Sequence, residues 1–150
     1  MRALWRASIW HPDAPSMQKV QTRFRPVFRI GLPVFDVALI AFSVFGIVFG
    51  SRAVEEFTLW WFTPLLAGAI GVASAAALGG LVFQKPKIEL TSKFVLGVCI
   101  AVYVVFLIAS ATVRSASAAL TAALAIAVLT ILALRVFDLI DQAAQEEDAA

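Results

Sequence analysis

Four long apolar runs, each bounded by charge, occupy residues 34–50, 64–83, 94–113 and 116–134, and Asp36 is the one charged residue inside any of them. A hydrocarbon layer of ~30 Å is crossed by roughly 20 helical residues rising 1.5 Å each, so every run is long enough to span it. Within lipid the backbone must satisfy its own hydrogen bonds, which leaves the α-helix as the form for isolated apolar runs. No comparable stretch is left over for a water-soluble core. The expectation is an all-α integral membrane four-helix bundle of two antiparallel hairpins, with both termini cytoplasmic.

Only 15% of the 150 residues are charged and 61% are hydrophobic, where an ordinary soluble domain carries ~25% charged residues. That leaves room for one membrane domain, residues 31–138, between a basic cytoplasmic or interfacial tail over 1–30 and an acidic cytoplasmic tail over 139–150. Basic residues near span ends stay on the cytoplasmic side. Ten of the twelve, Arg2, Arg6, Lys19, Arg23, Arg25, Arg29, Lys85, Lys87, Lys93 and Arg135, fall at one end of the spans, and Arg52 and Arg114 fall at the other. The basic tail is attracted to anionic head groups and the acidic one, with Glu146, Glu147 and Asp148, stays solvated. This accounts for the charges without nucleic acid, so the lipid bilayer is the expected partner and nucleic acid is not.

Residues 1–16 lack the apolar core and cleavage site of a secretory signal. Trp5, Ile9 and Trp10 suit a short interfacial helix, and Val20, Phe24, Val27 and Phe28 an amphipathic one interrupted by Pro26. The first span is expected to start near Pro33, where a missing amide is harmless. Gly46 and Gly50, four apart, offer a smooth notch for helix packing, and the second span repeats small residues at Ala67, Gly71, Ala75 and Gly79. Ala119, Ala123 and Ala127 do the same in the fourth. The second and fourth helices are therefore expected to face protein, and the first and third lipid. Trp60 and Trp61 read as interfacial anchors on the outer side, and Thr63-Pro64 as an N-cap and first-turn proline. Glu89 and Lys93 are placed to pair with each other if the third helix starts early. The fourth helix is expected to run past Arg135 amphipathically and to fray beyond residue 142.

The chemistry of an enzyme is missing. His11 is the one histidine and Cys99 the one cysteine, so neither a bis-histidine haem, a Cys/His metal site nor an intrachain disulfide can form, and no cofactor is expected. No phosphate-binding loop precedes a lysine, and Ser43, Ser74 and Ser110 have no base beside them in the spans. Asp36, as an intramembrane charge, is a candidate for ion coupling. Its place about one turn inside the helix also allows it to snorkel to the interface or to pair with Arg29.

Gly31-Leu32-Pro33-Val34-Phe35-Asp36, Phe57-Thr58-Leu59 with Thr63-Pro64, and Ile88-Glu89-Leu90 followed by Lys93 resemble the entrances to the spans of small four-span membrane proteins encoded by phages of actinobacteria, some described as holin-like. The resemblance covers residues 23–141. It implies a homo-oligomer that gathers in the bacterial inner membrane and permeabilises it during host lysis, and it carries no catalytic residues. Met17 is a possible second start. A small proton-coupled transporter, and an accessory or anchor subunit with a membrane-protein partner, are the alternative readings.

Overall fold

Pro33 lacks an amide hydrogen and its ring crowds the carbonyl four residues back, which makes the entrance to the first helix irregular. The computed structural model, which describes residues 8–11, 26–113 and 116–148, shows how the chain handles this. Residues Val27–Gly31 form a π-helical turn in which the Leu32 amide reaches the Val27 carbonyl, and α1 follows over Leu32–Phe49. Helix thus begins ahead of Pro33 rather than at it, because the widened turn absorbs the proline.

A short helix, α2 (Arg52–Glu55), precedes three long ones, α3 (Phe62–Val82), α4 (Pro86–Val113) and α5 (Ala116–Asp148). There is no strand among the described residues. Four helices are long and apolar enough to cross a membrane, over Val27–Phe49, Phe62–Val82, Pro86–Thr112 and Ala119–Asp141. Large apolar side chains such as Val48, Phe49, Val72, Val105, Leu124 and Leu134 point outward, a surface suited to lipid and costly in water. The expected interfacial helix around Trp5, the stretch 19–25, Met17 and the turn at Arg114 lie outside the described residues. Helix continues to Asp148, beyond the expected fraying point.

Each long helix packs along its neighbour in sequence, α1 on α3, α3 on α4 and α4 on α5. The shared core joins Leu39 of α1, Leu66, Ile70 and Ala73 of α3, Leu96, Ile100 and Val104 of α4, and Leu132 of α5. Burial corrects the expected division of labour. In the most apolar window of each span, α3 is 44% buried, α4 28%, the α1 span 22% and α5 17%. The third helix, not the fourth, shares the interior with the second. A helix between two neighbours must be covered on two sides whatever its side-chain size, and α5 packs at length on α4 alone.

Close approaches occur where two small groups coincide. A methyl group on Gly46 would come within 3.0 Å of the Ala67 Cβ, and one on Gly71 would collide with Ser43, whose hydroxyl donates to the Ala67 carbonyl at 2.7 Å. These contacts set the later turns of α1 against the first turns of α3. Gly50, grouped with Gly46 by its spacing, instead ends α1 at φ +70°, with the Glu55 side chain where a Cβ would stand. At Gly80 the helices approach backbone to backbone, and an added Cβ would lie 2.6 Å from the Glu89 amide nitrogen and 2.9 Å from its Cα. Gly79, next to it, faces open space, and Ala75 is exposed.

The start of α3 also differs from expectation. The Phe62 amide bonds the Leu59 carbonyl at 2.9 Å, so the helical turn begins one residue before Thr63. Thr63 then lies inside the first turn, and its buried hydroxyl has no hydrogen-bond partner among the described residues, so it is not a cap.

Gly80→Ala should displace the first turn of α4 and destabilise the protein by about 1–3 kcal/mol through overpacking. Gly79→Ala should be neutral or stabilising by up to ~1 kcal/mol, since it only raises helix propensity. Unfolding of the two variants in detergent, followed by circular dichroism, checks the contrast between adjacent glycines.

Candidate functional site: a buried charge cluster at one end of the bundle

Asp36 lies in helical register with Leu32, Leu39 and Ser43, all buried, so its carboxylate is turned into the bundle. It does not snorkel and does not pair with Arg29. It is 0% exposed, and it accepts from the Lys93 ammonium at 2.9 Å through Oδ1 and 3.2 Å through Oδ2. Lys93 is itself 1% exposed, and its Nζ stands 5.9 Å from the centre of the Phe35 ring.

Lys93 reaches this place because α4 begins at Pro86, whose missing amide is free at a helix start. Glu89 and Lys93 are then neighbours on the buried face that continues through Leu96, Ile100, Val104 and Leu107. Although four apart, they do not pair with each other as expected. Glu89 accepts from Arg135 of α5, with Nε to Oε1 at 2.9 Å and Nη2 to Oε2 at 3.1 Å. This two-pronged contact matches the planar guanidinium fork. Arg135 also donates through Nη1 to Asp138, and its guanidinium carbon lies 4.8 Å over the Phe28 ring. Opposite charges on three helices are thereby joined at one depth, Asp36 to Lys93 across α1 and α4, and Glu89 to Arg135 across α4 and α5.

The physical reason for the exchange of partners is that a carboxylate facing lipid or protein interior is far costlier than one at a wet surface. Asp36 has no competing cation on its own helix at its depth, so Lys93 satisfies it, and Glu89 is left for Arg135. Lys93 falls just outside the apolar run 94–113 and was paired in the sequence reading with Glu89, so it was missed as the partner of Asp36. Pro86 was the available signal, since a helix started there carries Lys93 about two turns inward.

The remaining end of the cluster is closed by residues 8–11. Because Pro33 cannot donate, the Arg29 carbonyl is released from the helix, and the Trp10 indole N–H donates to it at 3.0 Å. The Arg29 guanidinium donates to the His11 carbonyl at 3.3 Å, and the Ile9 amide donates to the Val82 carbonyl at the end of α3 at 3.2 Å. Ile9, 1% exposed, is buried with Leu32 and Leu81, and Phe28 packs against them. Ile9 therefore meets protein rather than head groups.

At the opposite end, Trp60 is 82% exposed and Trp61 46% exposed. Trp61 contacts Phe62 edge-on, and Phe57 and Phe62 both pack on Phe106 of α4. Ala119, Ala123 and Ala127 lie on the exposed face of α5, and the α5 residues turned inward are Ala122, Leu132 and Leu139. Tyr103 packs edge-to-face on Phe42 at 5.5 Å. Among the described residues no three His, Cys, Asp or Glu side chains gather as metal ligands. The cluster offers paired charge, not a nucleophile with a base. Compared with protein-family models, curated proteins and solved structures, the chain matches none.

Lys93→Met leaves a buried carboxylate unpaired and should cost about 3–5 kcal/mol, whereas Asp36→Leu together with Lys93→Met should fall near the original stability or exceed it by about 1–4 kcal/mol. Thermal melting of the purified single and double variants in the same detergent gives the comparison, and a double variant no better than the single would show that the pair does more than neutralise itself.

Proposed function

We propose that the protein is a multi-pass protein of the bacterial inner membrane that acts by self-association, most concretely a holin-like protein that permeabilises the host membrane during phage lysis. Its helices would cross as two antiparallel hairpins with both termini cytoplasmic. The basic bias supports that orientation, since the end carrying Arg29, Lys85, Lys87, Lys93 and Arg135 is the one that basic residues keep inside. No enzymatic step enters this reading.

The observation that carries self-association is the state of α5. It is the least covered of the four spans, and Ala119, Ala123 and Ala127 form a low-relief line on its outer face. Between helices in lipid there is no hydrophobic drive, so close van der Waals contact over small residues is what favours one protein surface over lipid. Four spans, one uncovered seam and a charge cluster whose members are paired with one another suit a subunit whose activity appears only when copies meet.

The buried Asp36–Lys93 pair favours a second reading, a small proton-coupled transporter, because it places a carboxylate fully inside the bundle. Direct contact at 2.9 Å with an ammonium is nevertheless the arrangement that makes a carboxylate a structural element rather than a free proton site. An accessory subunit remains the third, distinguished by failure to accumulate without its partner.

Timed expression in a bacterium separates them. The holin-like reading expects an abrupt loss of membrane potential at a threshold of accumulation, and Ala123→Leu, which adds bulk outside the chain's own core, should weaken cross-linked oligomers at least ~10-fold, equivalent to ~1.4 kcal/mol, and delay that loss. Harmless accumulation as a monomer would overturn it. Substrate-dependent proton flux abolished by Asp36→Asn would establish the transporter instead.

A further inference from the structure

We propose that residues 8–11 are a strap that governs whether α5 stays docked: by burying Ile9 beside Phe28 they hold the ring on which Arg135 rests, and release of the strap lets the charged end of α5 separate from α1.

Four independent contacts make the strap. The Ile9 side chain is fully enclosed with Leu32 of α1 and Leu81 of α3, and its amide caps the otherwise unpaired Val82 carbonyl at the end of α3. Trp10 takes up the Arg29 carbonyl that Pro33 leaves free, and the Arg29 side chain returns to His11. The segment is therefore tied to both α1 and α3, and the proline that disturbs α1 is what creates its strongest polar anchor.

The route to α5 runs through Phe28. That ring packs on the Ile9, Leu32 and Leu81 cluster and lies under the Arg135 guanidinium. α5 otherwise packs at length along α4 alone, and Phe28 is where the turn ahead of α1 meets Arg135, one turn beyond the core that Leu132 shares with Leu39. Removing Ile9 would open a void in the cluster against which Phe28 packs, and a ring freer to change rotamer supports the cation above it less well. Arg135 would keep Glu89 and Asp138, so α5 would stay joined to α4 while parting from α1.

The test uses the full chain in lipid nanodiscs, with Cys99→Ser as background and spin labels at Ile30 and Ile140, both exposed. Ile9→Asp should broaden the label distances toward longer values, and Phe28→Ala should do the same while leaving the strap docked. Docking is read separately from hydrogen exchange at the indole N–H of Trp10, assigned by its loss in Trp10→Phe. Pro33→Ala restores an amide that competes for the Arg29 carbonyl. It should speed Trp10 exchange about three- to tenfold, the range for one ordinary hydrogen bond, without changing Trp60 or Trp61. Unchanged label distances in a folded Ile9→Asp protein whose Trp10 exchange has risen would overturn the proposal, as would fast exchange of Trp10 in the unsubstituted chain. Neither readout requires membrane permeabilisation, so the strap and the lysis reading stand or fall separately.

Discussion

Two ion pairs shielded from water set the relation between the helices at one end of this bundle. In lipid an apolar side chain gains nothing by leaving hydrocarbon for another helix, so apolar contact alone is a weak guide to which turn meets which. Charge is different, because an unpaired carboxylate at that depth has no alternative partner. Asp36 can be satisfied only where Lys93 arrives, and Glu89 only where Arg135 does. A slip of α4 along α1 by one turn, about 5.4 Å, would break both bonds of the first pair. The pairs thus act as register marks, and Phe35 and Phe28, each beside a cation, keep the marks dry.

Away from the charged end, shape takes over from charge. Ser43, Gly46, Ala67 and Gly71 let α1 and α3 approach until a serine hydroxyl reaches a backbone carbonyl on the facing helix, a contact that bulky residues would prevent. At the far end, aromatic rings do the joining, with Phe106 receiving Phe57 and Phe62 while Val54 of α2 is buried below them. Rings carry large contact area at fixed geometry, so they can hold the chain that links α1 to α3 without polar partners. The bundle is held by pairing, then by close approach, then by aromatic contact, as one moves from one end to the other.

The existence and rough position of the four apolar helices were legible in the sequence, because they rest on length and apolarity, which single residues cannot disguise. What was not legible depended on phase. Gly79 and Gly80 are chemically identical neighbours, yet only Gly80 sits where α4 crosses, and a repeat of four residues favoured the wrong one. The small residues of α5 were read as a protein-facing surface; within one chain Ala119, Ala123 and Ala127 point out while Ala122, Leu132 and Leu139 point in. Helix phase relative to neighbours is a tertiary property, fixed here by which cation lies opposite which carboxylate. Asp36 was singled out correctly as the residue needing an explanation. Its partner was missed because Lys93 falls just outside the apolar run and was paired with Glu89, although Pro86 marked an earlier start to the helix. Trp10 is the converse case, a residue assigned to head groups whose indole is drawn back to the protein by a carbonyl that Pro33 frees.

This arrangement leaves α5 in an unusual mechanical position. α3 and α4 are each flanked by two helices, so moving either disrupts two seams, whereas α1 and α5 each have one long seam, and α1 alone adds a fully buried ion pair to a second helix. Along the α5 seam with α4, Ala122, Leu132 and Leu139 supply apolar contact, and near its end Arg135 supplies a two-pronged polar tie to Glu89. A helix attached by one face, with a low-relief surface on another, can shift against its surroundings while the Asp36–Lys93 pair stays intact. The energetic asymmetry lies in Arg135, because the guanidinium can keep both of its carboxylates while giving up the Phe28 ring. Separation of α5 from α1 would then forfeit a cation–ring contact of about 0.5–2 kcal/mol rather than a buried ion pair of about 3–5 kcal/mol. The contact of α5 with Phe28 is thus weaker than the charge pairs, and it lies beside the least covered of the four helices.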